Sequence, residues 1–168
     1  MTLAGINAAP LQDFVAQLGG VFEHSPWVAE RVWERKPFHS VDALHQAMMH
    51  VVSQAKREEQ LGLVRAHPEL AGAEAKEGTL TVDSSSEQGR LGFTALSRDE
   101  FVQMAGLNKS YREKFGFPCI VALRLHATRS SVVAEMQRRA GNDSDTELKN
   151  ALEQIGHITR GRLDRIFS

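Results

Sequence analysis

The stretch Ser40-Val41-Asp42-Ala43-Leu44-His45-Gln46-Ala47-Met48-Met49-His50-Val51-Val52 decides the fold class. Val41, Leu44, Ala47, Met48, Val51 and Val52 recur three and four residues apart, the repeat of one α-helical face and not the alternation of a strand. Ser40 stands where a side-chain oxygen can cap the first turn. A partner segment of the same kind starts near Arg57 and carries Gln60, Leu61, Leu63 and Val64 toward Ala66.

Working outward, the helical repeat continues in both directions. Leu11, Phe14, Val15 and Leu18 form an earlier segment that Gly19-Gly20 stops. Ser25-Pro26 reads as an N-cap with proline at the first helical position, opening a helix through Trp33. Past Pro68, residues 69–83 contain Gly72 and Gly78 and read as a weakly structured connector. A new helix is expected to start at Ser84 to Ser86, another runs from Ser97 through Leu107, and apolar character persists from Tyr111 to Phe115 before Gly116 and Pro118 interrupt it. Ile120 to Leu125 is short and apolar, where periodicity cannot separate strand from helix; helix is expected, since nothing nearby offers a second strand. Ser130 or Ser131 starts a further helix ending at Gly141. Ser144, with Glu147 three residues on, has capping-box spacing for the last one, whose inner face is Leu148, Leu152, Ile155, Ile158 and Leu163. The expected fold is all-α, a single-domain multi-helix bundle over residues 1–168, with no repeat or linker dividing it.

Composition narrows the function classes. With 42% apolar and 24% charged residues, the 168-residue chain is neither disordered nor too small to bury a core. A formal net charge of -1 supplies no strong field to recruit nucleic acid. No apolar run approaches the ~20 residues that span a bilayer, so no membrane role is expected. The residues Met1 to Pro10 lack the pattern of a secretory signal. One cysteine, Cys119, excludes an intrachain disulfide framework and fits a reducing compartment. Cytoplasmic location is the default expectation.

Three segments can carry chemistry. His67-Pro68 puts an imidazole at a helix end, because Pro68 disfavours the α region for the residue before it. The C-terminal dipole there favours a protonated ring, which suits proton exchange near neutral pH. From this dipeptide alone, a histidine that merely caps the last carbonyls is the favoured reading. Ser84-Ser85-Ser86-Glu87-Gln88 has a capping box at Ser84 and Glu87. The same helix start would offer N–H groups to an anion, with Glu87 as proton acceptor or as the group that orients His67. Phe115-Gly116-Phe117-Pro118-Cys119-Ile120 is either a tight interhelical turn, the favoured reading alone, or a loop whose bare backbone lines a pocket. Cys119 reads as a buried small residue and not a nucleophile. Arg124, Arg160 and Arg162 are candidate carboxylate clamps. His39, His45 and His50 lack the i, i+4 spacing of a helical metal site and read as ordinary histidines.

Taken together, Leu61-Gly62-Leu63-Val64-Arg65-Ala66-His67-Pro68-Glu69-Leu70-Ala71-Gly72, Leu80-Thr81-Val82-Asp83-Ser84-Ser85-Ser86-Glu87-Gln88 and Leu107-Asn108-Lys109-Ser110-Tyr111-Arg112-Glu113-Lys114-Phe115-Gly116-Phe117-Pro118 resemble, in order and separation, the signatures of the OHCU (2-oxo-4-hydroxy-4-carboxy-5-ureidoimidazoline) decarboxylase family. The chain departs from that pattern at Cys119, where the family usually has Phe, and at Leu91-Gly92-Phe93 and Gly161. The resemblance implies an all-helical homodimer that needs no cofactor and turns a urate-derived intermediate, OHCU, into (S)-allantoin. It implies that His67 is the catalytic acid/base, assisted by Glu87. It also implies substrate binding by Pro68, by Ser84, Ser85, Ser86, Glu87 and Gln88, by the backbone of Cys119, Ile120, Val121, Ala122 and Leu123, and by Arg162. The competing readings are a non-catalytic helical binding module and, further off, a metal-dependent hydrolase.

Overall fold

In a computed structural model that describes residues 1–168, ten α-helices and one 3-10 turn follow one another with no strand. They group into two compact units, Met1–Ala66 with Gly156–Ser168, and His67–Ile155.

The first unit contains α1 (Leu3–Ala8), α2 (Leu11–Leu18), α3 (Trp27–Trp33), α4 (Val41–Gln54), α5 (Arg57–Ala66) and the C-terminal part of α10 (Ser144–Phe167). Helix α4 is as the spacing predicts. Ser40 accepts a hydrogen bond from Ala43 N at 3.0 Å, and Leu44, Met48, Val51 and Val52 are buried. Helix α2 packs on α3, and α3 on α4. Phe14, Leu18, Val28, Val32, Leu63, Val64 and Leu163 are among the other buried residues of this unit, each worth about 1.5–3 kcal/mol of apolar burial. Two readings change. Helix α1, capped by Thr2 at 3.2 Å from Gly5 N, was not expected. Pro26, not Ser25, holds the cap position of α3, because the Ser25 hydroxyl donates to Glu23 O at 2.9 Å.

The second unit holds α6 (Ala73–Glu77), α7 (Val82–Arg90), α8 (Arg98–Phe115), the 3-10 turn Leu123–Leu125, α9 (Arg129–Arg139) and the start of α10. The expected connector contains α6, since Ala73-Glu74-Ala75-Lys76-Glu77 is a run of strong helix formers closed by Gly78 at φ 72°. Helix α7 starts before Ser84. Thr81 is its cap and accepts from Ser84 N at 3.2 Å, so the Ser84–Glu87 capping box does not form. Helix α8 has a reciprocal box between Ser97 and Glu100 and ends at Gly116 in the left-handed region, φ 76°.

The helix expected over Ile120 to Leu125 is absent: residues 119–122 have no regular structure and only Leu123–Leu125 makes a single 3-10 turn. Distant side chains engage this backbone in place of a helical ladder: Arg139 donates to Ile120 O, and Gln154 accepts from Ala122 N. Thr128, not Ser130 or Ser131, caps α9 by accepting from Ser131 N at 3.2 Å, and the helix ends at Arg139 before Gly141. Asp143 caps α10 by accepting from Thr146 N at 2.8 Å. Glu147 is therefore released from the box expected of it and lies fully buried. No helix is long and apolar enough to cross a membrane.

Candidate active site

His67 is the first residue beyond α5, which ends one residue after Arg65 as Pro68 requires, and its side chain is buried. The loop that follows, Pro68 to Gly72, is clamped from two helices. Gln88 of α7 uses both ends of its carboxamide: Oε1 accepts from Ala71 N at 2.9 Å and Nε2 donates to Glu69 O at 3.3 Å. Asn108 of α8 donates to Leu70 O at 2.8 Å, and Arg112 of α8 pairs with the Glu69 carboxylate. The clamp holds Ala71 at φ 50°, a left-handed conformation that a residue with a Cβ adopts only when its surroundings enforce it.

Helix α7 sorts its serines by face. At 3.6 residues per turn, Ser84, Glu87 and Gln88 share one side. Ser84 and Gln88 are buried and Glu87 half-buried, whereas Ser85 and Ser86 are exposed. The N–H groups of Ser84 and Ser85 are engaged by Thr81, through Oγ1 and through its carbonyl. The anion-binding helix start expected at Ser84 to Ser86 is thus displaced toward Val82. Gln88, expected to touch a ligand, acts on the backbone beside His67.

The third segment is tied to the second. Arg90, at the end of α7, donates to Leu123 O and, at 2.9 Å, to His126 O. Cys119, Ile120, Val121, Ala122 and Leu123 are all buried. Ala122 N donates to Gln154 Oε1 at 2.9 Å, and Ile120 O accepts from Arg139. No hydrogen bond within the chain engages the N–H groups of Cys119, Ile120 or Val121. Buried backbone donors are almost always paired, so this row of N–H groups is what a polar ligand would satisfy. Burial pushes the Cys119 thiol up to about 12, which keeps it protonated and supports the reading of a packing residue.

Gln88 thus ties α7 to the loop after His67 and Arg90 ties its end to Leu123, and all three nominated segments lie in the unit His67–Ile155. Arg162 belongs to the other unit, where it is buried, paired with Glu23 at 2.8 Å and donating to Val21 O at 3.2 Å. Its role as a carboxylate clamp rests on the resemblance. Arg160 is engaged by Asp42 and Asp164, and Arg124 is exposed. His45 contacts Thr159 Oγ1 at 3.1 Å, and no three His, Cys, Asp or Glu side chains converge as metal ligands would. An open cleft of about 890 Å³ between the end of α7, α8 and α9 contains Arg90 and Arg129 but none of the residues nominated for chemistry. Arg129 there is already paired with Glu100 at 2.8 Å.

Fold and site together define an all-helical protein with a buried histidine at the end of α5, a clamped loop after it and, in the same unit, a row of backbone donors with no partner from the chain. The chain belongs to the OHCU decarboxylase family, whose model matches residues 7–164. A 2-oxo-4-hydroxy-4-carboxy-5-ureidoimidazoline decarboxylase of Haloferax volcanii is 39% identical over 168 residues, covering 100% of this chain and 97% of its own length. A decarboxylase of the same name from Mus musculus is 35% identical over 163 residues, 97% of this chain and 91% of that one. A solved (S)-allantoin synthase superimposes with a TM-score of 0.79 at 27% identity, over 99% of this chain and 54% of that protein, of which this chain spans about half.

Proposed function

We propose that this chain decarboxylates OHCU to (S)-allantoin in urate breakdown, without a cofactor, as a single cytoplasmic domain of residues 1–168 that pairs into a homodimer. The observation that carries the reading is the joining of the His67 loop, the Ser84–Glu87–Gln88 face and the 119–123 backbone by Gln88 and Arg90. Gln88 and Arg90, on one helix, thereby link two segments far from each other in sequence, the loop after His67 and the 119–123 stretch.

The chemistry matches such a frame. The departing carboxylate sits on a carbon next to a ring C=N bond. As the C–C bond breaks, its electron pair moves into that bond and the ring nitrogen takes a proton. The substrate is its own electron sink, work that cofactors perform elsewhere. The enol left behind loses its hydroxyl proton and gains one at the ureido-bearing carbon, and delivery from one face fixes the S configuration. His67 exchanges the hydroxyl proton, Glu87 orients it, and Ser84, Pro68 and the free N–H groups of residues 119–121 hold the anionic heterocycle.

The test generates OHCU in place from urate and follows (S)-allantoin by circular dichroism. Wild type should yield the S enantiomer faster than the spontaneous reaction, and His67→Asn should lose about 10²–10⁴-fold in rate, the range of general acid–base catalysis, while keeping its helical signal. Treatment with a chelator should leave the wild-type rate unchanged. Racemic allantoin appearing at the spontaneous rate with wild type would favour the binding module and end this reading.

A further inference from the structure

A deeply buried polar cluster surrounds Glu147, whose carboxylate the mechanism does not use. Glu147 is 0% exposed, and Tyr111, Arg139 and Cys119 are each 2% exposed. Glu147 Oε1 accepts from Tyr111 Oη at 2.5 Å and from Arg139 Nε at 2.9 Å. Its Oε2 accepts from Asn142 Nδ2 at 2.9 Å and Asn150 Nδ2 at 2.8 Å. Arg139 Nη2 also lies 2.9 Å from Oε1, but out of line for a hydrogen bond. A buried ion pair of this kind is weak evidence for stability, because desolvation offsets its attraction and apolar replacements often serve as well. What an apolar pair could not supply is the guanidinium's remaining arm. Arg139 Nη1 donates to the carbonyl of Ile120.

That contact fixes more than one atom. The Ile120 carbonyl and the Val121 N–H belong to one planar trans peptide and point in opposite directions. Holding the oxygen against Arg139 aims the Val121 N–H away from the cluster. The next peptide plane is held by Gln154, whose Oε1 accepts from Ala122 N. Val121 is therefore pinned on both sides in a segment with no helix or strand to order it, and its own N–H takes no partner from the chain. Pre-aimed donors bind and stabilise charge better than donors that must be ordered first.

We propose that Arg139, held by Glu147 and Tyr111, is a positioning residue that aims the Val121 N–H at the substrate. The proposal rests on the decarboxylase reading, in which residues 119–123 bind OHCU. It differs from that reading in assigning a function to three side chains that never touch the ligand.

The experiment compares wild type, Arg139→Lys and Glu147→Gln for KM and kcat with OHCU generated in place. In parallel, the backbone amide of Val121 is followed by NMR during titration with (S)-allantoin. Lysine keeps the charge but loses the fork that reaches both Glu147 and Ile120 O. The expected result is a KM raised about tenfold, roughly one well-made hydrogen bond, with kcat within about threefold of wild type. The Val121 amide shift seen in wild type should shrink in the variant. If Arg139→Lys does not fold, Glu147→Gln, which keeps the volume and an acceptor for Tyr111 while removing the charge that anchors the guanidinium, should give the same split. An unchanged KM with kcat falling only in step with the folded fraction would overturn the proposal and leave a structural cluster. Absence of turnover by folded wild type would instead defeat the decarboxylase reading itself.

Discussion

Gln88 shows how one amide can decide a site. It closes the loop beside His67 by accepting from Ala71 N, which has no other partner, and by donating to Glu69 O, which also accepts from Gly72 N at 3.3 Å. Leaving a buried backbone group unsatisfied costs about 1–3 kcal/mol. Gln88→Ala should therefore lower unfolding stability by about 1–3 kcal/mol in urea titration. It should also cut decarboxylation by more than the loss of folded protein explains, since the loop no longer holds its left-handed turn at Ala71. Gln88→Glu keeps an acceptor for Ala71 N but turns a buried carboxylate oxygen toward Glu69 O, so it should recover none of the stability lost in Gln88→Ala. A Gln88→Ala protein with wild-type stability would show that the loop is held by Asn108 and Arg112 alone.

At the scale of elements, the cap of α7 separates what sequence spacing shows from what geometry adds. Ser84 and Glu87 have the spacing of a capping box, yet Thr81 is the cap. Thr81→Ala should cost about 1 kcal/mol of stability, within the usual 0.5–2 kcal/mol for a lost cap; an unchanged urea midpoint would return the cap to Ser84. Every long helix was legible from apolar spacing, because a stripe such as Leu44, Met48, Val51 and Val52 must face a core. Starts were legible only where a single capping residue stood alone, as at Ser40 and Ser97. Where several candidates crowd together, at Thr81 to Ser86, Thr128 to Ser131 and Asp143 to Ser144, spacing does not choose among them, and the outermost residue won each time. The 119–122 stretch was misread for a different reason. Its order comes from Arg139 and Gln154, 19 and 32 residues away, and no local pattern encodes such partners. The same holds at the site: the motifs nominated His67, Glu87 and the 119–123 backbone, whereas the Tyr111–Glu147–Arg139 cluster has no signature and Glu147 resembled a capping residue.

Over the whole molecule, half-buried His45 and buried Glu147, one in each unit, should make the fold sensitive to acid in two separate steps. His45 is held below its ordinary value of 6.5, first by burial and then by the Arg160 guanidinium, against weaker opposing effects of Gly156 O, Asp164 and Asp42. Its neutral form is the native one, so the unfolded chain binds the extra proton first. The stability it contributes is complete above pH 6.5 and is lost as pH falls below that value. Glu147 is held below its ordinary 4.5 although burial alone would raise it, because Asn142, Tyr111, Asn150 and Arg139 all donate to the carboxylate. Its contribution is complete above pH 4.5 and drains away as pH falls from there toward the depressed native value. Half-exposed Glu59 and Glu100 and exposed Asp143 are also lowered by their partners and add a shallow slope in the same acid range, common to every variant. Thermal unfolding measured from pH 8 to pH 3.5 should show a first decline beginning near pH 6.5 and a steeper one beginning near 4.5. His45→Gln should flatten the first and leave the second, and Glu147→Gln should lower the plateau while flattening the second. If His45→Gln kept the decline below pH 6.5, the first step would belong to another histidine, and the part-buried contact with Thr159 would have no part in acid sensitivity.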